Sequence, residues 1–108
     1  MKSSIVLIAN PAAQKASDKK VAMASYYLQS KGYAVEVLFT YKRGDAEDLA
    51  RESLRKAPSL IIAAGGDGTF NEVVNGIAGT EIPMAILPLG TTNVLARELD
   101  IPENVQGA

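Results

Sequence analysis

The chain has 108 residues, 11 Lys and Arg against 12 Asp and Glu (formal charge −1), and is 47% hydrophobic. This fits one small domain with a packed core, and near-neutral charge gives no electrostatic reason to expect nucleic acid as a partner. Cysteine and histidine are absent, which excludes disulfides, Cys/His zinc sites, thiol nucleophiles and imidazole triads; proton transfer must use a carboxylate, lysine, tyrosine, water or substrate.

In chain order, residues 5–9 are a short apolar run that suits a strand buried on both faces, ended by Asn10-Pro11. Ser17 or Asp18 is placed to cap a helix carrying Val21, Ala24, Ser25 and Leu28, with Gly32 as its stop. Residues 33–39 read as a second strand. Asp45 is expected to cap a second helix whose first turn is acidic (Glu47, Asp48), with Leu49, Ala50 and Leu54 facing the core and Pro58 closing the segment. Residues 60–64 form a third buried strand and residues 65–68 a glycine-rich turn. Phe70, Val73, Val74, Ile77 and Ala78 then recur at helical spacing up to Gly79. Residues 84–87 read as a fourth strand. Pro88-Leu89-Gly90 leads into a last helix from Thr91 or Thr92, with Leu95 and Leu99 inward.

Strands alternating with helices predict an α/β fold: a parallel, Rossmann-like sheet with helices on both faces. Ligands of such sheets bind beyond the carboxyl ends of the strands. Here those ends are Asn10-Pro11, residues 40–44, residues 65–69 and residues 89–92; the last two are rich in Gly and Thr. No run approaches the roughly 18 apolar residues of a transmembrane segment, and residues 5–9 are too short for a secretory signal. A soluble, cytoplasmic protein is expected. The tyrosines (Tyr26, Tyr27, Tyr33, Tyr41) read as half-buried packing residues. The basic groups, among them Lys42 with Arg43, read as solvated helix faces, a minority of which could meet anionic lipid.

The turn Gly65-Gly66-Asp67-Gly68-Thr69 carries one Cβ among its first four residues. An anion can approach such bare backbone, and the following helix adds its dipole. The competing explanation is a tight turn that uses glycine only for positive φ. No glycine is followed by lysine, so the P-loop pattern is missing, and a dinucleotide G-x-G-x-x-G starting at Gly66 fails at Asn71. Gly90-Thr91-Thr92 repeats the arrangement after the next strand, where the hydroxyls fit a helix cap or a ligand.

Gly65-Gly66-Asp67-Gly68-Thr69 followed by Asn71-Glu72-Val73, then Leu87-Pro88-Leu89-Gly90-Thr91-Thr92-Asn93 and Ala96-Arg97, resembles the diacylglycerol kinase catalytic domain family. Asn10-Pro11, and Thr40 with Gly44-Asp45-Ala46, match other nucleotide-lobe positions of that family. The resemblance implies the N-terminal lobe of the NAD kinase/diacylglycerol kinase type over residues 1–108, with ATP and Mg²⁺. It implies that Gly65, Gly66, Gly68 and Thr69 cradle the phosphates, that Asn71 and Glu72 help fix that turn, and that Thr40 lies by the adenine or ribose. Gly90, Thr91 and Thr92 would close the other side. Asn10 would approach the phosphate side of the cleft, and Asp67 would orient Mg²⁺–phosphate or the acceptor hydroxyl as the catalytic residue. The sequence departs from the family pattern at Ala12-Ala13-Gln14, which lack a glycine, and at Val94, where an Asp often stands.

The implied activity is transfer of the ATP γ-phosphoryl group to a lipid hydroxyl such as that of diacylglycerol, at a membrane surface reached peripherally. Full family members carry a second, β-rich domain. An excised lobe with little turnover of its own is therefore expected, one that exposes apolar surface and self-associates. Two other readings stay open. An NAD kinase-like phosphotransferase shares the glycine turn but not the segment over residues 87–93. A non-enzymatic receiver-like or flavodoxin-like module would need acidic residues where Asn10 and Gly65 stand.

Overall fold

The computed structural model describes residues 3–10 and 15–88. Its elements are β1 (Ser4–Ala9), α1 (Lys15–Ser30), β2 (Ala34–Phe39), α2 (Asp45–Ser53), a 3₁₀ turn (Leu54–Lys56), β3 (Leu60–Gly65), α3 (Asp67–Gly76) and β4 (Met84–Pro88). All strand pairs are parallel and the sheet order is β2-β1-β3-β4.

The connection from β1 to β2 runs one way across the sheet; those from β2 to β3 and from β3 to β4 run the other way. Right-handed crossovers place helices on opposite faces when the direction reverses. The packing follows this rule. Ile5, Leu7 and Ala9 of β1 join Val21 and Ala24 of α1 in one core. Val6 and Ile8 point the other way and join Ala46 and Ala50 of α2 and Val73 of α3. β1 is therefore apolar at consecutive positions rather than at alternate ones, because both of its faces are covered.

Over the described residues the elements follow the expected order, with a 3₁₀ turn added after α2, and their edges shift. α1 starts at Lys15, so Ser17 and Asp18 lie within it rather than before it. The backbone residue preceding α2 is Gly44, with φ 92°, and no side chain caps its end from that position. α3 ends at Gly76, and Gly79 lies beyond it with φ 85°. The buried face of α3 is Thr69, Val73 and Gly76, continued by Ile77, while Val74 and Ala78 are exposed. The periodic stripe is thus half core and half surface, because α2 covers a narrower strip of α3 than its apolar residues offer. A Cβ on Gly76 would stand 2.5 Å from the Glu47 carbonyl oxygen, so this glycine sets how closely α2 and α3 approach.

Two tyrosines depart from the packing role. Tyr26 and Tyr41 are 75% and 85% exposed. Tyr27 is intermediate and lies under the Lys31 ammonium, 5.4 Å from its ring centre. No described helix is long and apolar enough to cross a membrane. The expected last helix, with Gly90, Thr91 and Thr92, lies outside the described residues, as does Pro11.

Candidate nucleotide site

β1 and β3 are neighbours, yet the chain leaves them toward opposite edges of the sheet. That makes their carboxyl ends the switch point at which open α/β sheets bind ligands. Three segments converge there. The Asn10 N–H donates to the Ala64 carbonyl at 2.9 Å, carrying the β1–β3 ladder one residue past the strand, and the Thr40 N–H donates to the Ala9 carbonyl at 2.9 Å. A cleft of about 310 Å³ opens above them. Among the described residues, Asn10 lines it from β1, residues 40–43 and Ala46 from the β2–α2 loop and α2, and Gly68, Thr69 and Glu72 from α3.

The glycine turn separates into two kinds of position. Gly65 is buried, and a Cβ there would stand 2.7 Å from the Thr69 hydroxyl, so its lack of a side chain serves packing. Gly66 and Gly68 are exposed, and a Cβ on either would meet nothing within 4 Å. Neither has positive φ; among the described residues the positive-φ glycines are Gly32, Gly44 and Gly79. The explanation by turn geometry therefore fails at both positions. Their bare backbone opens onto space at the N-terminus of α3, where no side chain caps the helix. The first N–H groups of a helix have no partner within it and attract anions. The first intrahelical bond runs from the Phe70 N–H to the Gly66 carbonyl, which leaves the amides of Asp67, Gly68 and Thr69 to the mouth of the cleft.

The opposite wall is built by carboxylates. Asp45 Oδ2 accepts from the N–H groups of Tyr41 at 2.8 Å and Lys42 at 3.0 Å, folding the loop back on the start of α2. Glu72 reaches across from α3: its Oε2 accepts from the Gly44 N–H at 3.0 Å and its Oε1 from the Ala46 N–H at 3.1 Å. Glu72 thus supplies the cap that α2 lacks from its own sequence, with a charge that suits a helix N-terminus. This corrects the sequence assignment of Glu72 to the glycine turn; its bonds go to the neighbouring loop instead.

The structure therefore brings Asn10, Thr40, Gly68, Thr69 and Glu72 together around one cleft. Thr40 is buried, with its hydroxyl directed to the Ala9 carbonyl at 3.5 Å. Gly66 and Asp67 are exposed just before Gly68, and Asn71 is exposed without lining the cleft. Tyr41, Lys42 and Arg43 line the cleft and were not singled out as site residues. A basic pair just past the end of a parallel strand was the available signal, and the helix-face reading obscured it. Among the described residues no group of three or more carboxylates could hold a metal ion by itself.

A switch-point cleft with a stripped strand-to-helix turn defines an α/β domain suited to a phosphate-bearing ligand. The comparisons make the class specific. The model of the diacylglycerol kinase catalytic domain matches residues 4–108, and the chain belongs to that family. It is 42% identical to a diacylglycerol kinase of Staphylococcus epidermidis over 107 residues, covering 94% of this chain and 33% of that protein. Against a Staphylococcus aureus diacylglycerol kinase the identity is 40%, with the same coverage. A crystal structure of a diacylglycerol kinase from Bacillus anthracis superposes with a TM-score of 0.71 at 33% identity, covering 96% of this chain and 36% of that one. The chain spans about a third of the length of the curated relatives it matches.

Proposed function

We propose that residues 1–108 are the ATP-binding lobe of a lipid kinase, which transfers the γ-phosphoryl group of ATP to the hydroxyl of a diacylglycerol-like lipid. The observation that carries this reading is the pair Gly66 and Gly68, whose missing side chains serve neither packing among the described residues nor backbone conformation and leave room at the end of α3. Phosphate oxygens fill that room, accepting from the Asp67, Gly68 and Thr69 amides. Thr40 lies on the nucleoside side, and Asn10 approaches the phosphate side of the cleft.

Phosphoryl transfer is governed by positioning and charge neutralisation, so a domain without His or Cys is chemically sufficient for the nucleotide half. Mg²⁺ is bound by one or two carboxylates together with substrate phosphates, so the absence of a dedicated acidic cluster among the described residues fits this metal. Exposed Asp67, at the start of α3, is the carboxylate in reach, and we assign it to orienting the metal–phosphate or the acceptor hydroxyl. Asp67 and the bound phosphates would hold the metal, which would supply positive charge against the phosphate oxygens. The acceptor contacts are assigned to the part of such proteins outside the matched third, and the lipid is met by peripheral contact with the bilayer.

Titration of the 108-residue protein with Mg-ATP, followed by calorimetry or amide chemical shifts, tests the reading. Saturable binding that perturbs Gly66, Gly68 and Thr69 is expected. No binding at millimolar nucleotide by a chain shown to be folded overturns it. Incubation of the same protein with diacylglycerol vesicles and Mg-ATP is expected to yield no phosphatidic acid, and measurable product would return the acceptor site to residues 1–108.

A further inference from the structure

Lys42 and Arg43 differ from Arg51 and Lys56, the cations of α2 and the turn after it that hold carboxylates. Arg51 is paired with Glu47 at 2.6 Å and lies 3.6 Å from Asp48, and Lys56 is paired with Glu36 at 2.7 Å. Among the described residues, neither Lys42 nor Arg43 has a carboxylate partner, although Asp45 and Glu72 lie within a few residues of them in space or sequence. Both carboxylates are committed to backbone: Asp45 to the amides of Tyr41 and Lys42, Glu72 to those of Gly44 and Ala46. The loop and the start of α2 are tied down at four amides, while the two cations line the cleft with no carboxylate partner among the described residues.

We propose that Glu72 is a positioning residue whose two-pronged bond from α3 to the start of α2 holds the 41–43 loop beside the glycine turn, so that Lys42 and Arg43 meet the phosphate tail of the nucleotide. The proposal rests on the nucleotide reading and deepens it. The physical argument is one of shared support. α3 presents the amides that bind phosphate, and the same helix, less than one turn further on, carries the carboxylate that fixes the cation-bearing loop. The two walls are therefore held at one spacing, and the side chains on the second wall need less ordering when ligand arrives. Glu72 lines the cleft, but each of its oxygens accepts from an amide at the start of α2, so it acts on the nucleotide through the loop.

The test is a double-mutant cycle read as the dissociation constant for Mg-ATP in the 108-residue protein. Glu72→Gln keeps the shape of the side chain but turns an amide NH₂ toward one of the two donors. It is expected to weaken binding about tenfold, as is the pair Lys42→Ala with Arg43→Ala. The combination is expected to be no weaker than the pair, because Glu72 acts through those cations; additive losses would instead mark Glu72 as merely structural and overturn the proposal. Amide exchange at Gly44 and Ala46 is expected to quicken in Glu72→Gln. Should Glu72→Gln fail to fold, the pair of exposed loop substitutions still decides, since unchanged affinity there leaves Glu72 nothing to position. A wild-type protein that does not bind Mg-ATP removes the nucleotide reading itself. Wild-type binding with an unaffected Glu72→Gln removes only the role of Glu72.

Discussion

The glycines of α3 and its leading turn sit in two settings that differ in what fills the space a side chain would take. At Gly76 the space belongs to the Glu47 carbonyl and the Ala50 methyl of α2. At Gly66 and Gly68 it belongs to nothing in the described chain. The first absence is explained by packing, so it says nothing about ligands. The second has no internal cause, and so directs attention outward. Gly65 stands between the two cases in sequence but sides with Gly76, because Thr69 occupies its Cβ position. One run of glycines therefore contains both a structural and a functional member, and sequence spacing does not separate them.

The strongest way to break this distinction is Gly76→Ala. The nearest obstacle at 2.5 Å is backbone, which cannot rotate away as a side chain can. Overpacking of this kind is expected to cost about 3 kcal/mol, seen as a lower urea midpoint with an unchanged slope. Stability equal to wild type would show that α2 and α3 slide apart freely, and the contrast with the turn would collapse.

Next in size is ligand affinity at the turn. Gly66→Ala and Gly68→Ala each place a methyl where phosphate oxygens are proposed to lie. Loss of one charge-assisted amide contact is expected to weaken Mg-ATP binding roughly thirtyfold, about 2 kcal/mol. Gly76→Ala, once allowance is made for its unfolded fraction, is expected to weaken binding less than either turn substitution, because it acts only through the α2–α3 spacing and not at the phosphate-facing amides. Calorimetry on all three proteins makes the comparison directly.

A smaller effect probes the wall opposite the turn, which is built by side chains rather than by their absence. Asp45→Ala removes the acceptor for the Tyr41 and Lys42 amides. These amides are exposed and water replaces the carboxylate, so a loss of about 1 kcal/mol is expected, with faster amide exchange at residues 41 and 42. The Glu72 bonds to Gly44 and Ala46 are expected to persist, which the exchange rates at those two residues check.

The fold was legible in the sequence because its signals are local. Apolar runs such as residues 5–9, punctuated by Asn10-Pro11, Gly32 and Pro58, mark strands and helix limits without knowledge of partners. The glycine turn was legible as bare backbone for the same reason. What escaped was pairwise and distant. Glu72 caps a helix that begins 27 positions earlier in the chain, and no propensity records such a bond. Asp45 was expected at the cap of α2 on residue type; its carboxylate instead accepts from the Tyr41 and Lys42 amides of the preceding loop, while Glu72 reaches the Gly44 and Ala46 amides. Lys42 and Arg43 looked like ordinary solvated charge until the sheet order placed the end of β2 beside the ends of β1 and β3.

The smallest effect carries the argument furthest, because it reverses sign. Gly68 is helical and exposed, with ordinary negative-φ backbone and, among the described residues, no neighbour that a methyl would strike. A glycine at such a position loses more freedom on folding than alanine does, so Gly68→Ala is expected to stabilise the chain by about 0.5–1 kcal/mol, a rise of a few degrees in Tm. The same substitution is expected to weaken nucleotide binding. A residue that costs the fold stability while serving no contact among the described residues points to a ligand contact. If Gly68→Ala instead lowered Tm, the glycine would have an internal purpose, and the inference from bare backbone to bound phosphate would lose its footing at that position.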